Sequence, residues 1–81
     1  MKKELNDAQV EEVVGGTVII SANYMRVGFV TTKESYKLNN VTYREARNYA
    51  EDLLDENRHL SDAQFDQLCK QKMAEKGWID I

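Results

Sequence analysis

The chain changes its hydrophobic period twice. In the first sixteen residues, Val10, Val13 and Val14 recur at i, i+3, i+4, which makes one apolar stripe on a helix. Asn6 suits the N-cap of that helix, Gln9 completes a capping-box pattern, and Leu5 with Val10 has the spacing of a hydrophobic staple. A helix this short, rich in β-branched valine, is marginal in water by itself. The stretch is therefore expected to be flexible or weakly helical, with Gly15-Gly16 as its stop signal.

From Thr17 the pattern becomes β-like. Thr17-Val18-Ile19-Ile20-Ser21 is rich in β-branched residues, and Tyr24 to Thr32 continues with Val27, Phe29 and Val30. Asn23 marks a turn or bulge between them, and Thr31 to Glu34 forms a hairpin loop. Ser35-Tyr36-Lys37-Leu38 is a further short strand, ended by Asn39-Asn40, which tolerate left-handed turn angles. Two or three antiparallel strands are predicted.

Helical spacing then returns with clear punctuation. Thr42-Tyr43-Arg44-Glu45 is a capping box ahead of the stripe Tyr43, Ala46, Tyr49, Ala50, Leu53 and Leu54. A second capping box, Ser61-Asp62-Ala63-Gln64, precedes Phe65, Leu68, Cys69 and Met73. Gly77 suits the position just past the helix, where a Schellman turn would fold Trp78 back on Met73. The predicted class is α+β: a weakly ordered leader over residues 1–16, then one small domain over 17–81 with a sheet backed by two helices.

Composition narrows the function. The chain has 81 residues, 11 Lys and Arg against 14 Asp and Glu, and a net charge of −3. A general nucleic-acid binder needs a basic face, and this balance disfavours one. Apolar runs such as Val18-Ile19-Ile20 fall far short of the roughly 20 residues of a transmembrane helix. One cysteine, Cys69, and one histidine, His59, leave no intramolecular disulfide and no multi-cysteine zinc site. No constellation supports catalysis, a metal or a cofactor, so the expectation is that the chain is not an enzyme.

The front end carries the sharpest signal. Val13, Val10 and Leu5 lie three, six and eleven positions before Gly16, the second glycine of a pair, with Asn6-Asp7 and Glu11-Glu12 between them. This arrangement resembles the double-glycine leader of bacterial peptides exported by peptidase-containing ABC transporters. Valine stands at Val10 where leucine is commoner, a minor departure for an aliphatic pocket. The resemblance implies that the transporter's papain-like cysteine peptidase domain takes Leu5, Val10 and Val13 into a groove. The glycine pair would lie extended in a narrow channel where any Cβ would clash. Cleavage would follow Gly16 and make Thr17 the new N-terminus. It implies synthesis in the bacterial cytoplasm and secretion of residues 17–81, with the membrane touched only through the transporter.

The cargo carries 11 − 2 = 9 Lys and Arg and 14 − 4 = 10 Asp and Glu, a charge of −1. That disfavours a cationic pore-former and leaves a folded bacteriocin or a secreted signal. On this reading its core is complete without residues 1–16. Cys69 reads as a small buried hydrophobe, with pairing of two copies a remote option. His59 reads as a solvated loop residue. The four tyrosines lack the basic surroundings of a base-stacking platform. The Glu51-Asp52, Asp55-Glu56 run lacks EF-hand spacing and reads as a solvated helix face. The alternative class is an intracellular binding or regulatory module whose first helix packs on the sheet and is never removed.

Overall fold

A computed structural model describes residues 11–81. Four strands, β1 (Glu11–Val14), β2 (Val18–Ser21), β3 (Arg26–Phe29) and β4 (Glu34–Lys37), precede two helices, α1 (Tyr43–Glu56) and α2 (Asp62–Glu75). The strands form one antiparallel meander in the order β1-β2-β3-β4. The α+β class is as the sequence indicates, with one strand more than expected.

The additional strand is β1. Glu11–Val14 is extended and pairs with β2 from Glu11 opposite Ser21 to Val14 opposite Val18, where the sequence reading places the end of a short helix. Branched side chains fit a pleated surface better than a helix, and in a strand Val13 and Val14 point to opposite faces. Val14 is accordingly 2% exposed and Val13 54%. The sheet thus runs across the boundary expected at residue 16, and its core draws on Val14. Asn6, Gln9, Leu5 and Val10 lie outside the described residues.

Register builds the core row by row. Val14, Val18 and Phe29 face one another across β1, β2 and β3; Ile20, Val27 and Tyr36 do so across β2, β3 and β4. The helices cover this face with Ala46, Ala50 and Leu53 from α1 and Phe65, Cys69 and Met73 from α2. Small alanines on α1 allow that helix to lie close to β1 and β2.

Each connection has an identifiable cause. The β2–β3 and β3–β4 hairpins have four-residue loops, ending at Met25 (φ 49°) and Lys33 (φ 58°). Thr42 caps α1, and Ser61 with Gln64 closes a complete capping box on α2. At the far end of α2, the Trp78 N–H donates to the Met73 carbonyl and the Gly77 N–H to that of Ala74, each at 3.0 Å. These are the two bonds of a Schellman turn. They fold Trp78 onto Tyr49 with ring centroids 5.3 Å apart, and its carbonyl accepts from the Asn39 N–H at 2.8 Å.

The two valines of β1 should therefore behave differently. Val14→Ala removes buried methyl groups and should lower unfolding free energy by roughly 2 kcal/mol in denaturant titration. Val13→Ala should change it by less than about 0.5 kcal/mol, as solvent-facing substitutions do.

Candidate functional site

The expected cleavage site is a turn. Gly15 (φ 65°) and Gly16 (φ 84°) are both left-handed, as the central pair of a type I′ hairpin turn must be. The Thr17 N–H closes the turn on the Val14 carbonyl at 3.4 Å. Because Val14 pairs with Val18, the loop holds three residues, and Thr17 is the one beyond a two-residue hairpin. That extra residue turns Thr17 inward beside Val18; Thr17 is only 6% exposed.

The two glycines have different surroundings. A Cβ on Gly15 would stand 3.0 Å from Cε2 of Phe65 and 3.3 Å from Cδ1 of Leu54, whereas one on Gly16 would meet nothing within 4 Å. Gly15 is thus seated under the helices and Gly16 opens to solvent.

Behind the turn lies a buried carboxylate. Asp66 is 0% exposed on α2, and its oxygens gather donors from two separate loops. Thr17 Oγ1 donates to Oδ1 at 2.5 Å, while Oδ2 accepts from Thr31 Oγ1 at 2.5 Å and from the Thr31 N–H at 3.1 Å. Among the described residues, no Lys, Arg or His forms an ion pair with it. One turn further along α2, Lys70 bridges to Glu34 on β4 at 2.8 Å. That hydrogen bond lowers the Glu34 pKa and raises that of Lys70.

Cys69 lies on the same buried face. Loss of water and the neighbouring Asp66 push its thiol up to about 12. It is neutral, enclosed and without a disulfide, so joining two copies through it requires the core to open. His59 is exposed between the helices, and Asp55 pairs with Arg58 at 2.6 Å on the outer face. Among the described residues, no cluster of three or more His, Cys, Asp or Glu is arranged to hold a metal.

Of the expected recognition residues, the structure describes Val13, on the open face of the sheet. Gly15, Gly16 and Thr17 come together with Phe65, Asp66 and Thr31, a grouping the sequence reading did not anticipate. Asp66 was nonetheless signalled: with Cys69 and Met73 it keeps the i, i+3, i+7 spacing of the buried stripe of α2. A charge at such a position has to find partners. In comparisons with known proteins, the chain matches no protein-family model, no curated sequence and no solved structure.

Asp66→Ala would leave two hydroxyls and an N–H without their acceptor, and should cost about 3 kcal/mol or more in denaturant titration. Lys70→Ala, which breaks a partly exposed pair, should cost about 1 kcal/mol or less.

Cys69 should set an alkaline limit. The unfolded thiol loses its proton near 9.0, whereas the folded one keeps it to about 12. Above pH 9 the unfolded state therefore binds fewer protons, and stability falls as pH rises through this window. Cys69→Ala should flatten that part of the stability profile.

Proposed function

We propose that the chain is a secretion precursor. Residues 1–16 address it to a peptidase-containing ABC transporter, whose papain-like cysteine peptidase cuts after Gly16. Residues 17–81 are then exported as a bacteriocin-like or signalling cargo. The observation that carries this reading is the set of aliphatic residues Leu5, Val10 and Val13 at fixed distances ahead of Gly15-Gly16. Two structural features are compatible with it. Val13 is turned away from the core on an edge strand, and Gly16 stands open at the tip of a hairpin.

A specific observation favours the second reading, an intracellular binding or regulatory module. The glycine pair has a structural task as a hairpin turn, and Val14 is part of the core. The two demands fall on different residues. Folding uses Val14, whereas leader recognition uses Val13, Val10 and Leu5.

A peptidase that needs both glycines extended acts on the opened hairpin, so the open fraction multiplies the cleavage rate. Digestion of the full chain with peptidase domains of such transporters, followed by mass spectrometry, should yield a fragment beginning at Thr17. Val10→Asp and Val13→Asp should slow its release strongly. Val14→Ala should speed it, by about tenfold for each 1.4 kcal/mol of hairpin stability lost. Cleavage at another bond, or none with several such peptidases, refutes the precursor reading and leaves the module.

A further inference from the structure

We propose that Asp66 is the seat for a new N-terminus: the α-ammonium of Thr17, formed when the Gly16–Thr17 bond is hydrolysed, pairs with the buried carboxylate and latches the processed chain. This inference rests on the precursor reading for its biological setting. Its geometry comes from the fold alone.

The carboxylate has room for one more donor. Two oxygens offer about four acceptor positions, and among the described residues three are taken: one on Oδ1 by Thr17 Oγ1, two on Oδ2 by Thr31. The free position is therefore on Oδ1, the oxygen already held by Thr17. No cation among the described residues pairs with this carboxylate, and burying a carboxylate's charge without a counter-ion is costly.

Among the described residues, Thr17 is the one placed to supply that cation. Its nitrogen is three bonds from Oγ1, and Oγ1 is 2.5 Å from the carboxylate. In the intact chain this nitrogen is an amide, planar with Gly16, and its single hydrogen points to the Val14 carbonyl. Hydrolysis adds water across the amide. The hydroxyl goes to the Gly16 carbonyl carbon as a carboxylate, and the nitrogen leaves with the protons that make it an ammonium. The planar restraint disappears and one donor becomes three. The rest of Thr17 stays anchored, because its carbonyl accepts from the Val30 N–H at 2.9 Å. An α-amino group ordinarily titrates near 7.7–8.0, so it is mostly charged at neutral pH.

Among the described residues that stay in place once the new Gly16 carboxylate swings out to solvent, Asp66 is the counter-ion within reach, and α1 meets the turn with the apolar Leu54. On α2, the Cys69 thiol is neutral until about pH 12, and Lys70 is engaged with Glu34 of β4. The β1–β2 turn contributes Gly15, Gly16 and Thr17, none of them ionisable before cleavage. The β3–β4 loop brings Thr31 and Thr32 with one ionisable residue, Lys33, which is exposed.

The test cuts the full chain without any transporter peptidase, so that failure of the latch and failure of the export reading are separate results. Asp-Asp-Asp-Asp-Lys is inserted between Gly16 and Thr17, and enteropeptidase cleaves after the lysine to free the Thr17 amine in a nicked but otherwise complete molecule. Titration by NMR should place the Thr17 amine at least about one unit above the ordinary 7.7–8.0. The Asp66 carboxyl carbon should shift in step with it. Asp66→Asn should return the amine to the ordinary range, and Thr31→Val, which keeps the carboxylate, should leave it raised. Should Asp66→Asn fail to fold, co-titration of the Asp66 carbon in the unsubstituted chain decides. An amine titrating in the ordinary range, an Asp66 carbon that ignores it, or a raised value that survives Asp66→Asn overturns the latch.

Discussion

A carboxylate without water governs this small domain. Asp66 is buried on hydrogen bonds that Thr17 and Thr31 donate to it, and those residues sit on two different connections of the sheet. Satisfying one side chain therefore sets where α2 lies along the meander. Phe65, beside it in sequence, then comes to rest on Gly15, and Lys70 one turn later comes within reach of Glu34. Apolar surfaces alone would allow α2 to slide or rotate at small cost; a directional, buried acceptor does not.

The glycine pair sits where two requirements meet. As a hairpin turn it needs two residues at positive φ, and next to Phe65 it needs one without a side chain. As a protease site it would need freedom from Cβ atoms in a narrow channel. The same dipeptide meets all of these demands. The period-2 alternation of β1 separates the rest: one valine faces inward to the sheet's core while its neighbour faces outward.

Much of the architecture was legible because it is written in local chemistry. Thr42 and Ser61 with Gln64 announce the helix starts, Gly77 and Trp78 the final turn, and Asn23 and the Thr31–Glu34 stretch the loops, although Glu34 itself opens β4. The β1 strand was not legible, for a physical reason. Val10, Val13 and Val14 satisfy a helical spacing, and Gly-Gly ends helices as readily as it turns hairpins. The choice is made by partners on β2, which no local signal encodes. The Asp66 cluster depends on residues 49 and 35 positions away along the chain. Its helical end could be inferred from spacing, but its threonines could not.

The order of the strands has a kinetic consequence. Each strand pairs with the one just made, through loops of three or four residues, so closing each hairpin costs little entropy and the sheet can assemble progressively from its N-terminal end. Its lid belongs to the last third of the chain. During synthesis β1 and β2 are made before α2, and until α2 follows the turn between them has nothing to dock on. The N-terminal hairpin of each new molecule is thus left ajar until α2 arrives, a window in which its tip is uncovered.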